Sequence, residues 1–183
     1  PTIASSLSAW FARAEAAEGQ VHRQSFDARA AAEKIVSYYE AIAEDRQVQI
    51  GCEGSATISA DPLLFNRVLS NLVENALRHT PEGGAITGAI ASVAPGTEIV
   101  VRDNGSGIAA EHLPCVFDRF YRADPSRSAE GSGLGLALVK SIVELHGGTV
   151  AIARALDRGT SVTLHCPAAR RAPILPDPRR GLQ

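Results

Sequence analysis

Three polar residues recur at helical spacing after Asp61-Pro62: Asn71, Asn75 and Arg78. At about 100° per residue they fall within about 60° of arc on one helix face. Phe65, Val68, Leu69, Leu72 and Ala76 cover the neighbouring arc, the pattern of a core-facing stripe. Two amides and a guanidinium thus share the border of an apolar face. Amide oxygens can ligate a hard cation such as Mg²⁺, and a guanidinium grips phosphate. The same stripe also suits a solvated helix edge, so it needs company to mean anything.

Three further segments supply that company. Asp103-Asn104-Gly105-Ser106-Gly107-Ile108 follows a β-type run. Its glycines let backbone approach a ligand or adopt positive φ, and its Asp can accept a hydrogen bond from an amino group; a plain turn would use the same residues. Gly131-Ser132-Gly133-Leu134-Gly135 opens an apolar helical run. Free N–H groups at a helix start, reached through glycines, suit an anion. The spacing is neither the dinucleotide fingerprint nor a P-loop, since no strand precedes it and no Gly-Lys-Ser/Thr follows. Phe117-Asp118-Arg119-Phe120-Tyr121-Arg122 lies between the two glycine loops. It reads as an anchored hinge before a polar lid, or as an ordinary surface loop.

These segments must be held by elements. Ser5–Ala17 reads as a helix, Gln24–Asp27 as a short strand and Ala28–Asp45 as a second helix. Val48–Cys52 and Ala56–Ser59 read as strands. Asp61-Pro62 is a capping residue followed by proline at the first helical position, so a helix runs from there to about His79. Ile86–Val93 and Thr97–Arg102 read as paired strands joined through Pro95-Gly96. Tyr121–Glu130 is polar and irregular. Leu134–His146 is a helix closed by Gly147-Gly148, and Thr149–Ala153 with Thr160–Cys166 form a last strand pair. The expected fold is a two-layer α/β sandwich: a mixed, mostly antiparallel sheet with helices on one face.

The chain has 183 residues, 45% hydrophobic and 21% charged, which suits one globular domain with appendages rather than a disordered chain. The net charge of −2 gives no field for nucleic acid or an anionic membrane. The charge is uneven: the segment from Pro167 onward holds four Arg against one Asp, and four of the ten prolines. Cys52, Cys115 and Cys166 are scattered, which predicts a reducing compartment and no zinc site. No apolar run approaches bilayer length. The chain contains no Met and begins at Pro1, the mark of a piece excised from a longer protein.

Taken in order and spacing, the four segments resemble the ATP-binding catalytic domain of bacterial sensor histidine kinases, in the superfamily shared with gyrase, MutL and a heat-shock chaperone. Asn71 to Pro81 is similar to its N box, Asp103 to Ile108 to its G1 box, Phe117 to Arg122 to its F box, and Gly131 to Val139 to its G2 box. The similarity covers about residues 24–166. The Asp61–Pro81 pattern and the Leu/Ala-rich second helix resemble heavy-metal-responsive kinases in particular.

The resemblance implies a fold and a set of roles. The fold is the Bergerat ATP-binding sandwich, and the cofactors are ATP and Mg²⁺. Asn75 is the metal residue and Asn71 supports it. Arg78 contacts phosphate, with His79 beside it. Asp103 accepts the adenine amino hydrogen; Gly105, Gly107 and Ile108 shape the base pocket. Gly131, Ser132, Gly133, Leu134 and Gly135 form the phosphate loop and lid, and Arg122 or Arg127 reaches the γ-phosphate. In ATP-hydrolysing members a Glu stands four residues before the metal Asn and activates water. Here Asn71 holds that place, and an amide is no general base. Glu74 is the carboxylate expected to assist the incoming imidazole.

The acceptor implied is a His of a separate two-helix dimerisation domain, which none of the five histidines supplies. Residues 1–20 would end that domain's second helix, 21–166 form the catalytic domain and 167–183 a disordered basic tail. The resemblance further implies a homodimeric, membrane-anchored receptor with this domain in the cytoplasm, a response regulator as downstream partner, and no nucleic acid.

Overall fold

The computed structural model describes residues 21–122, 133–155 and 159–168. The helix expected over Ser5–Ala17, the expected phosphate-contacting residues Arg127, Gly131 and Ser132, and the tail beyond Ala168 lie outside the described residues.

The chain enters through β1 (Gln24–Asp27) and α1 (Ala28–Asp45), where the Asp27 carboxylate caps the helix by accepting the Arg29 N–H at 2.9 Å. After β2 (Gln49–Gly54) and β3 (Thr57–Ala60) comes α2 (Pro62–His79). Asp61 Oδ1 accepts the N–H groups of Leu63 and Leu64, at 3.0 and 3.2 Å, satisfying two donors that the helix itself leaves open. Then follow β4 (Ala85–Val93), β5 (Gly96–Asp103), a 3₁₀ turn (Leu113–Cys115), α3 (Gly135–Leu145), β6 (Thr149–Ala155) and β7 (Gly159–Pro167).

Five strands form one sheet in the order β2-β4-β5-β7-β6, and β1 pairs with β3 in a separate two-stranded ladder. Only the β2–β4 pair of the larger sheet is parallel. Its crossover carries β3 and α2, so α2 returns over the sheet face. Alternation along the strands shows which face is covered. Ile86, Ile90, Ile99, Val101, Val162 and Leu164 are buried beneath the helices, whereas Thr87, Ala91, Arg102 and His165 are exposed on the other side. Helices lie on one face of a mixed sheet, as expected from the sequence.

The core joins that strand face to Phe65, Val68, Leu72 and Ala76 of α2 and to Leu138, Val139 and Ile142 of α3. The Phe65 ring meets Phe26 edge-on at 5.4 Å, tying α2 to the small ladder. The sequence reading assigned no partners to β1 and β3 and no 3₁₀ turn after the Asp103 loop.

Candidate functional site

The C-terminal half of α2, the loop after β5 and the first turn of α3 converge. The Asn71 amide nitrogen donates to the Arg67 carbonyl at 2.7 Å, which turns its Oδ1 toward α3. A Cβ built on Gly135 would stand 3.2 Å from that oxygen. Asn71 and the start of α3 are therefore neighbours. Leu134, at the capping position of α3, is 2% exposed and offers no side-chain cap, so the N–H groups of the first turn have no acceptor from a capping residue. Helix starts of this kind carry partial positive charge. Asn75 is half-buried one turn beyond Asn71, and Arg78 and His79 are exposed at the helix end.

That helix end docks on the β5 loop. The Ser106 N–H donates to the His79 carbonyl at 3.2 Å. Gly105 lies so close that a Cβ there would come within 2.3 Å of the same oxygen, so only glycine fits. Asp103, 9% exposed, accepts the N–H of Gly105 at 2.9 Å and of Thr160 at 3.2 Å. Both bonds end on Oδ1, leaving Oδ2 outside them. Burial lifts the Asp103 carboxyl above its ordinary 3.8, opposed by those two backbone bonds and by nearby His79. Gly107 has φ +70°, and a Cβ built there would stand 3.2 Å from the Gly159 carbonyl oxygen. Ile108 follows, half-buried.

The Phe117–Arg122 segment meets the glycine-rich loop before α3 through backbone. The Phe120 N–H donates to the Gly133 carbonyl at 3.0 Å. Gly133 has φ +66°, and a Cβ there would come within 2.8 Å of the Phe120 carbonyl carbon. Phe120 itself is 60% exposed with φ +65°. His112 Nδ1 and the Tyr121 hydroxyl are 2.7 Å apart, bracing the segment, and Arg122 beside it is half-buried.

Glu74 stands apart from this convergence. Its Oε1 accepts the hydroxyl proton of Tyr39 on α1 at 2.6 Å, which directs the carboxylate to the α1 side of α2. Burial, with Glu74 next, raises the Tyr39 phenol above its ordinary 10.0, so the hydroxyl remains a donor.

Sequence reasoning did not find Thr160, Tyr39 or the link between Asp61 and His146. Thr160 lies 57 positions from Asp103 and meets it only through sheet register. The Asp61 N–H donates to His146 Nε2 at 3.0 Å, and His146 Nδ1 faces the Ile142 carbonyl at 2.7 Å, so the ring is neutral with its proton on Nδ1.

Known proteins resemble this chain in sequence and fold. The family model described as "Histidine kinase-, DNA gyrase B-, and HSP90-like ATPase" matches residues 60–170. Sensor protein IrlS of Burkholderia pseudomallei is 48% identical over 145 residues, 78% of this chain and 31% of that protein. Sensor histidine kinase CusS of Escherichia coli K12 is 48% identical over 138 residues, 74% of this chain and 28% of that protein. The chain thus spans about a third of the length of these curated relatives. Among solved structures, full-length ShkA in complex with AMPPNP matches with a TM-score of 0.75 at 25% identity, over 87% of this chain and 34% of that one. The matched residues contain α2, the Asp103 loop and α3, the three parts that converge. The chain belongs to the histidine kinase-, DNA gyrase B- and HSP90-like ATPase family, as the ATP-binding catalytic domain of a sensor histidine kinase.

Proposed function

We propose that this domain holds Mg-ATP between α2 and α3 and transfers the γ-phosphoryl group to a histidine of a separate dimerisation domain. The observation that carries this reading is the meeting of Asn71 Oδ1 with the uncapped first turn of α3 at Gly135. An amide oxygen for a cation shell and N–H donors for phosphate oxygens face one place, and among the described residues no carboxylate is directed there to activate water. The donor set suits Mg²⁺, which takes few protein ligands and completes its shell with phosphate oxygens and water. When bound, the ion neutralises charge that develops on the phosphates.

Asn75 is the residue assigned to Mg²⁺, and Asn71 supports it. Arg78 and His79, with Arg122, are assigned to phosphate, as are Gly131, Ser132, Gly133, Leu134 and Gly135. Asp103 Oδ2 is assigned to the adenine amino group, with Gly105, Gly107 and Ile108 around the base. Glu74 is left out of this set because Tyr39 already occupies Oε1. In the transfer, the bond from the γ-phosphorus to the β–γ bridging oxygen breaks and a P–N bond forms on the acceptor imidazole; ADP leaves. The chain's own residues bind and orient, which is most of what phosphoryl transfer asks of a protein.

The whole receptor is proposed as a homodimeric, membrane-anchored sensor of the heavy-metal-responsive kind, acting on a response regulator. Residues 1–20 are assigned to the dimerisation helix, 21–166 to the catalytic domain and 167–183 to a basic tail. The test mixes the domain with a separately made dimerisation domain of the same receptor and γ-labelled ATP. Acid-labile, base-stable label on the acceptor histidine is expected only with Mg²⁺. Rapid release of labelled phosphate with no labelled histidine would instead favour a hydrolase, which Asn71 argues against.

A further inference from the structure

Glu74 is the only acidic residue of α2, and it directly precedes Asn75. Its side chain leaves the helix about 60° from Asn71 and about 100° from Asn75. The residue is exposed, so its carboxylate would be free to swing along the stripe were it not held. What holds it is unusual: a phenol 5% exposed, at 2.6 Å, on a different helix 35 positions away. Ser70, one turn earlier on α2, lies beside the Tyr39 hydroxyl. The Tyr38 ring stands edge-on to Tyr39 at 5.0 Å.

We propose that Tyr39 is a positioning residue that withholds Glu74 from water, so that the one carboxylate of α2 does not act as a general base for hydrolysis of ATP bound along the Asn71–Asn75 stripe. The inference rests on the nucleotide site assigned above. In the reaction prevented, water loses a proton to the carboxylate and its oxygen bonds to the γ-phosphorus. The bond to the β–γ bridging oxygen breaks, and ADP and phosphate leave. Asn71 omits one base, and Tyr39 restrains another.

Tyr39→Phe removes only the donor. A positioned general base contributes about 10²–10⁴-fold, so a carboxylate in reach for about 3% of the time raises turnover about threefold or more. ADP release without acceptor should therefore rise at least about threefold in Tyr39→Phe. Tyr39→Leu, which also removes the donor, should behave alike, and adding Glu74→Gln should cancel the rise. Without nucleotide, the Glu74 carboxyl-carbon resonance should move in Tyr39→Phe. Wild-type ADP release from a Tyr39→Phe domain that still gains thermal stability from Mg-ATP would overturn the inference. So would a rise that survives Glu74→Gln, or an unmoved Glu74 resonance. No thermal shift with Mg-ATP in the unaltered chain would instead sink the nucleotide site itself, and this inference with it.

Discussion

Asp103 is assigned two separable tasks, and one substitution separates them. Its Oδ1 accepts the N–H groups of Gly105 and Thr160, which pin the loop to β7. Its Oδ2 is assigned to the adenine amino group. Asp103→Asn keeps a carbonyl oxygen for both backbone bonds and puts an NH₂ where Oδ2 stood. The side chain is buried and its carboxyl is already raised by that burial, so a neutral amide should leave the melting temperature unchanged or slightly higher. ATP, however, loses a hydrogen bond to a charged acceptor, worth about 1.5–3 kcal/mol. At about 1.4 kcal/mol per decade this weakens binding about 10- to 100-fold. A guanine nucleotide, which offers a carbonyl where adenine has its amino group, should lose less, so the ATP/GTP ratio falls. Asp103→Ala differs in kind. It strands two buried N–H donors at about 1–3 kcal/mol each, which should lower the melting temperature by several degrees or more. Calorimetric titration with ATP and GTP, beside thermal melts of both variants, reads the two effects apart. Wild-type ATP affinity and selectivity in Asp103→Asn would refute the adenine assignment. A wild-type melting temperature in Asp103→Ala would refute the structural one.

Asn75→Ala should abolish the Mg²⁺-dependent part of ATP binding while leaving the melting temperature of the nucleotide-free domain within about 2 °C of the original. Gly135→Ala should hold or raise stability, because alanine costs less backbone entropy in a helix; it should still weaken Mg-ATP binding, since its Cβ crowds Asn71 Oδ1. Thermal melts with and without Mg-ATP check both. His146 is buried and neutral, with its protonation lowered below the ordinary 6.5, chiefly by burial. The unfolded chain therefore takes up the proton first, so stability is complete above about pH 6.5 and is lost as pH falls from there toward the lower folded value. Melts between pH 5 and 8 should show that slope, and His146→Asn should remove it.

Local signals made most of the fold legible. Asp61-Pro62 marks the start of α2, and the Asp61 side chain does cap it. Ile86–Val93 and Thr97–Arg102, read as paired strands joined through Pro95-Gly96, match β4 and β5 to within a residue at each end. What stayed hidden depends on long-range pairing. Nothing local in Gln24–Asp27 says that it pairs with Thr57–Ala60, or that β2 joins β4 in parallel. The candidate site divides in the same way. Glycines and amides announced themselves by spacing, because close approach and helical phase are local properties. The Thr160 bond and the Tyr39–Glu74 bond join segments 57 and 35 positions apart, so no window of sequence contains both partners. Glu74 shows the consequence. Helical phase put it beside the stripe, but a hydroxyl on another helix decides where its carboxylate points.

His146 lies at the far end of α3 from Gly135, yet its bond to Asp61 should bear on phosphoryl transfer. Its bond to the Asp61 N–H joins the start of α2 to the end of α3, while Asn71 meets Gly135 at the other end. The two helices therefore run antiparallel. Asp61 to Asn71 covers about 15 Å and His146 back to Gly135 about 16 Å, so the link at one end sets the register at the other. Beyond Asn71, α2 continues eight residues to His79, about 12 Å past the start of α3. That overhang, tied at its tip by the Ser106–His79 bond, has helix N–H groups at one end and Asp103 near the other. A slip of one residue between the helices would move Gly135 about 1.5 Å along Asn71. Misplacement by about 1 Å costs catalysis on the order of 10²-fold. Loss of the His146 bond should thus appear in phosphoryl transfer at temperatures well below the melt, through register rather than through contact with nucleotide.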